Sequence, residues 1–156
     1  SPRTCLPDAD RAELANSLGA DVFISLHTDG HANPEADGVA TYHYGTDNGV
    51  NSATGERLAG LVQREIVART GLRDCRTHAK TWDLLRLTWM PAVRVDLGYL
   101  TSPSDRAMLI DPRFRDRLVE AMMAAVQRMY LPMEADVATG SIDVSKLRAL
   151  VAAGRL

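Results

Sequence analysis

Two side chains stand where a small α/β domain usually does its chemistry, each at the end of an apolar run. The segment Ala20-Asp21-Val22-Phe23-Ile24-Ser25-Leu26-His27 reads as a strand ending on a histidine. The segment Met90-Pro91-Ala92-Val93-Arg94-Val95-Asp96-Leu97-Gly98-Tyr99 reads as a second strand, delivering Asp96 to its end. An acid at the exit of an apolar strand is costly unless something pairs with it or uses it. A neutral imidazole there can bind Zn²⁺ at about 2.0–2.1 Å. A carboxylate beside it can take a proton from metal-bound water. Together they suggest a hydrolytic metal site, with His27 as a ligand and Asp96 as the base.

Each residue also has a plainer reading. His27 can simply be the polar residue that opens a loop. Arg94 and Asp96 share one face of their strand, about 7 Å apart along it, so a long arginine reaches the acid and an ion pair results. His31 lies four residues beyond His27, but Thr28-Asp29-Gly30 argues for a loop and makes it a second-choice ligand. His43 reads as a satisfied residue in mid-strand. His78, before Ala79-Lys80, reads as a loop residue that either touches substrate or decorates the surface. Cys5 and Cys75 make neither a disulfide framework nor a metal knuckle and read as two free thiols.

The elements that would carry these residues alternate. Asp8 is placed to cap a helix through Arg11, Ala12, Ala15 and Leu18, ending at Gly19. Val22–Leu26 is apolar on both faces, as in a fully buried strand. A polar loop, 28–37, leads to an alternating strand over 38–44. Ser52 starts a helix that buries Leu58, Leu61, Val62 and Ile66 and closes at Gly71. Leu84–Leu87 is ambiguous between helix end and short strand, and Ala92–Leu97 is a strand. Ser102-Pro103-Ser104-Asp105 signals a helix start. Asp111-Pro112 opens a strongly amphipathic helix with Phe114, Leu118, Met122, Val126 and Met129 on one face. Helices alternating with strands predict an α/β fold, a mostly parallel twisted sheet flanked by helices. The domain spans 1–131; residues 132–156 read as a linker and a short tail helix through Val144, Leu147, Leu150 and Val151.

The chain has 156 residues, 46% of them hydrophobic and 24% charged, which is ordinary globular composition with room for one core. A net charge of −2 without a basic run gives no case for nucleic acid. No apolar stretch approaches the roughly 20 residues of a membrane span. The sequence opens at Ser1-Pro2-Arg3, without Met and with no first strand before its first helix. It reads as a domain whose N-terminal strand and helix are missing.

The two apolar segments resemble a known family. Residues 20–27 are similar to the "AD-x-FISIH" segment of zinc-dependent N-acetylmuramoyl-L-alanine amidases of the amidase 3 type. Leu85-Arg86-Leu87-Thr88-Trp89-Met90-Pro91 and the strand after it, to Ser102, resemble their "LR-x-T-x-MPAVLVE-x-GFLSN". The resemblance runs from about Asp8 to Tyr130. Residues 71–76 and 82–88 are most similar to the CwlM branch, which is associated with regulating peptidoglycan precursor synthesis.

That likeness implies a hydrolase that cuts the amide between N-acetylmuramic acid and L-alanine of the stem peptide. It implies one Zn²⁺ held by two histidines and a glutamate, with a further glutamate as base. His27 matches the second zinc histidine, and Asp96 occupies the position of the catalytic glutamate. The other two ligands would lie upstream of Ser1, so zinc binding is expected only with them. His31, Arg86 and Arg94 are the candidates for touching substrate. Two departures point to weakened catalysis. Asp is one methylene short of Glu, about 1.5 Å, and Arg94 replaces an apolar residue beside the acid. The implied partner is peptidoglycan or a muropeptide, in an extracytoplasmic, cell-wall setting. The alternative is a non-catalytic regulator that binds a cell-wall synthesis protein in the cytoplasm.

Overall fold

A computed structural model describes residues 6–132. Nine elements follow in chain order: α1 (Asp8–Ser17), β1 (Phe23–Asp29), β2 (Val39–Tyr44), α2 (Ala53–Thr70), β3 (Asp74–Lys80), α3 (Asp83–Arg86), β4 (Ala92–Tyr99), α4 (Pro103–Ile110) and α5 (Pro112–Met129). The strands form one sheet in the order β1-β4-β2-β3. The β1–β4 and β2–β3 pairings are parallel, while β2 runs antiparallel to β4. This reversal follows from chain length. Loop 30–38 is too short to hold a crossover helix, so β2 must run back against the direction of β1. The mostly parallel α/β sheet expected from the sequence is therefore present, with one antiparallel junction at its centre.

The two long helices begin and end where their punctuation puts them. The Ser52 Oγ accepts from the Gly55 N–H at 3.1 Å, and Gly71 closes α2 with φ of 72°. Asp111 caps α5 by accepting from the Arg113 N–H at 2.9 Å, with Pro112 in the first turn. Both pack on one face of the sheet. Leu58, Val62 and Ile66 of α2 meet Phe114, Leu118 and Ala121 of α5 over Val93, Val95 and Leu97 of β4. A buried ion pair, Arg128 Nε to Glu65 Oε1 at 2.9 Å, ties the two helices within that layer.

Several expectations are corrected. Pro7, not Asp8, occupies the cap position of α1, and no side chain caps it. Asp8 lies in the first turn and pairs with Arg11 instead. The strand read as ending at Leu26 continues to Asp29, so His27 lies within β1 rather than past it. Nor is that strand fully buried among the described residues, where β1 stands at the edge of the sheet and Leu26 is 48% exposed. His78 belongs to a strand, β3, not to a loop. The ambiguous 84–87 segment resolves as the end of the short helix α3 and its C-cap, Leu87. His43 is buried in β2, with Nδ1 at 3.1 Å from the Tyr44 carbonyl oxygen, as expected of a structural residue. Cys75 is a free thiol, its Sγ donating to the Asp37 carbonyl at 3.3 Å. Cys5 and the linker and tail helix read at 132–156 lie, apart from Pro132, outside the described residues.

Candidate active site

Side chains alternate along a strand, and β4 uses that alternation to separate core from site. Val93, Val95 and Leu97 enter the layer under α2 and α5, which turns Arg94 and Asp96 to the other face. Register then assembles two rows on that face. Ser25, Arg94, Tyr42 and His78 lie side by side across all four strands. One pleat further on, His27 lies opposite Asp96, which is flanked on its other side by Ala40. The two residues singled out from the sequence are thus neighbours on adjacent strands, near the C-terminal ends of both. This is the end at which α/β sheets bind ligands.

Asp96 is only 6% exposed and fully engaged. Arg94 Nε donates to its Oδ1 at 2.7 Å, and Nη2 donates to Oδ2 at 3.3 Å. This is the fork geometry in which Arg–carboxylate pairing is strongest. The guanidinium is framed in turn by aromatic rings. Its carbon lies 4.8 Å from the centroid of the Trp82 ring, and the Trp82 and Tyr42 rings lie 4.8 Å apart. Tyr42 leans at 5.6 Å on His78. Trp82 arrives from the N-cap of α3, over the sheet. Burial raises the pKa of the Tyr42 hydroxyl, and the Asp96 charge raises it further.

His27 is held from the opposite side. Its Nε2 lies 2.8 Å from Ser25 Oγ, which also accepts from Arg11 Nη1 at 3.1 Å. Arg11 is anchored by Asp8 in its own helix. Burial lowers the imidazole pKa below its ordinary value, and the Arg94 charge lowers it further, against an upward pull from Asp96. The ring therefore favours its neutral form.

His31, Asp29 and Tyr99 build the rim. The His31 N–H donates to Thr101 Oγ1 at 3.0 Å, and its Nδ1 accepts from the Asn33 N–H at 3.0 Å. Its ring stands edge-on to Tyr99 at 6.4 Å. Behind the rim, the buried carboxylate of Asp105 accepts from Gly38 N–H at 2.9 Å and Tyr99 N–H at 3.0 Å through the same oxygen. Gly98 makes that approach possible: it has φ of 120°, and a Cβ on it would lie 2.9 Å from Asp105 Oδ2. Arg86 is not drawn in. It is exposed and bonds Asp83 within its own turn at 2.7 Å.

The donor set can be tested against a metal ion. No group of three or more His, Cys, Asp or Glu side chains able to hold one occurs among the described residues. His27 has Nε2 occupied by Ser25, and Asp96 has both oxygens on Arg94. Two guanidinium groups stand beside them, and their charge opposes a divalent cation. The described residues do not by themselves compose a zinc centre. The sequence singles out His27, Asp96 and Arg94, which the fold brings together on one face; Trp82, Tyr42, Ser25 and Arg11, which surround them, are not among its candidates.

Residues 4–128 match the family described as Amidase_3, N-acetylmuramoyl-L-alanine amidase. The chain is 51% identical over 142 residues to N-acetylmuramoyl-L-alanine amidase CwlM of Mycobacterium tuberculosis, an alignment covering 91% of this chain and 35% of that protein. Against N-acetylmuramoyl-L-alanine amidase LytC of Bacillus subtilis, identity is 27% over 113 residues, covering 72% of this chain and 22% of LytC. The crystal structure of an N-acetylmuramoyl-L-alanine amidase from Clostridium difficile 630 superposes with a TM-score of 0.73 at 31% identity. That match covers 80% of this chain and 66% of the other. The chain therefore spans about a third or less of these curated relatives and about two thirds of the solved structure.

Proposed function

This chain belongs to the Amidase_3 family of N-acetylmuramoyl-L-alanine amidases, and from that membership we propose that it acts on peptidoglycan with weakened hydrolysis. The bond concerned is the amide between N-acetylmuramic acid and L-alanine. The observation that carries the weakening is the two-point engagement of Asp96 by Arg94. Asp96 is assigned the base, and a base must be able to turn a lone pair toward the proton it takes. Here each oxygen already accepts one bond from a guanidinium, which fixes the carboxylate's orientation and leaves fewer lone pairs to offer. The shorter side chain adds to the loss, because a misplacement of about 1 Å costs on the order of a hundredfold in rate. Arg94 is assigned to the substrate-facing wall, and His31 to its rim.

A zinc ion would be held by His27 together with donors beyond the described residues, and would supply Lewis acidity at the scissile amide. The chain's own part is to keep His27 neutral by burial and to seat it opposite Asp96.

The same ion pair favours a second reading, in which the amidase fold is kept as a non-catalytic regulator whose partner is a cell-wall synthesis protein. The two readings place the protein in different compartments, extracytoplasmic for the hydrolase and cytoplasmic for the regulator. One assay separates them: release of stem peptide from purified muropeptide by the protein at its full natural length with Zn²⁺, beside its Asp96→Glu variant. Slow wild-type release that rises in the variant supports the weakened hydrolase. Inert proteins that bind no zinc support the regulator.

A further inference from the structure

We propose that Trp82 is a positioning residue: its ring holds the Arg94 guanidinium against Asp96 and so sets how firmly that carboxylate is engaged. Arg94 is a long side chain with several rotatable bonds, and an ion pair alone does not fix such a chain in one geometry. What fixes it is the frame. Trp82 lies against the guanidinium, its ring centroid 4.8 Å from Cζ, a cation–π contact that restrains the cation while its N–H groups remain available for hydrogen bonding. Tyr42, the register neighbour of Arg94 on β2, supports the indole at 4.8 Å. On the other side, Ser25 is the register neighbour on β1. The guanidinium so restrained carries Nε and Nη2, the two donors that Asp96 receives. Lys80 Nζ, at 5.9 Å from the same ring, is a more distant cation and does not displace Arg94.

The functional weight of this frame rests on the reading of Asp96 as the family's base position, but the frame itself can be tested without any catalysis. The experiment is carboxylate labelling with a water-soluble carbodiimide and glycine ethyl ester, read residue by residue by mass spectrometry on the protein at full natural length. Asp47, exposed, serves as the labelled reference; Asp105 and Glu65, both buried, report general loosening of the fold. Trp82→Leu should raise labelling of Asp96 by about two- to fivefold, the change that a cation–π contact of ordinary strength controls. Asp105 and Glu65 should stay protected. Trp82→Phe keeps an aromatic face and should return Asp96 close to the wild-type level. Arg94→Leu should raise labelling at least as much as Trp82→Leu. Unchanged labelling in Trp82→Leu beside a clear rise in Arg94→Leu would overturn the proposal, as would an equal rise at Asp105 and Glu65. Because no step of the assay involves peptidoglycan, failure here is distinct from failure of the amidase reading, which stem-peptide release reports.

Discussion

His27 and Asp96 are register partners across the parallel pairing of β1 and β4, yet each is bonded away from the other. His27 turns to Ser25 and, through it, to Arg11, while Asp96 turns to Arg94. The face keeps the placement of a reactive pair, and two arginines take up its hydrogen-bonding capacity. On the proposed reading, strengthening hydrolysis here would mean removing a cation as well as lengthening an acid.

That argument orders three variants. Asp96→Glu alone should raise stem-peptide release only modestly, because Arg94 still claims the longer carboxylate. Arg94→Leu with Asp96→Glu should clearly exceed it, because the longer carboxylate is then also released from the guanidinium that binds both oxygens of Asp96. Chromatographic release of stem peptide from muropeptide is the measurement. Equal rates in the single and double variants would count against Arg94 as the obstacle.

Asp105 should matter for stability although it touches no reacting group. Asp105→Ala leaves the N–H groups of Gly38 and Tyr99 without their shared acceptor, at a cost of about 2–4 kcal/mol. Asp105→Asn retains an acceptor oxygen and should lose markedly less. Urea unfolding at neutral pH distinguishes these, and indistinguishable midpoints for the two variants would contradict the account.

The Glu65–Arg128 pair joins α2 to α5 from inside the protein, with Arg69 also bonded to Glu65. Glu65→Leu alone removes the buried carboxylate that Arg128 and Arg69 share and should destabilise by about 3–5 kcal/mol. Glu65→Leu combined with Arg128→Met should recover most of that loss. A double variant no better than the single one in denaturant unfolding would disprove the argument.

Asp74 gives a pH dependence with a definite sign. The Gln63 side-chain amide donates to its Oδ1 at 2.7 Å, and the Arg76 N–H donates to the same oxygen at 2.8 Å. These bonds lower its pKa below the ordinary 3.8, the Gln63 amide being the larger cause. A carboxylate lowered on folding contributes stability above its unfolded pKa, and that stability is lost as pH falls through the folded pKa. Asp74→Asn should therefore flatten the acid limb of stability below about pH 4 and leave the slope near pH 7 unchanged. Thermal unfolding across an acid series tests it; an unaltered acid limb would be the contrary result.

Much of the frame is written in local punctuation. Ser52 and Gly71 bracket α2, and Asp111-Pro112 opens α5, because caps and prolines act within a few residues of themselves. β3 escaped notice for the opposite reason. Asp74-Cys75-Arg76-Thr77-His78-Ala79-Lys80 has no apolar alternation, since it is an exposed edge whose strand character comes from pairing with β2. Arg76, at φ of 68°, interrupts the pattern further. Leu26 differs in the other direction: apolar residues on both faces of β1 imply burial, and among the described residues β1 pairs with β4 alone and leaves Leu26 48% exposed. At the site, the Arg94–Asp96 pair is legible from two-residue spacing. The Trp82 contact is not, for eleven residues, the short helix α3 among them, separate it from the arginine it faces.

The alternation along β4 has a consequence for how such a protein can change over generations. Positions 93, 95 and 97 answer to the packing beneath α2 and α5, while 94 and 96 answer only to the opposite face. Selection on folding and selection on reactivity thus act on interleaved letters of one short word. A lineage can rewrite the even letters, trading an apolar residue for Arg94 or a longer acid for Asp96, and leave the odd ones untouched. The descendant inherits an intact scaffold with its chemistry open to revision.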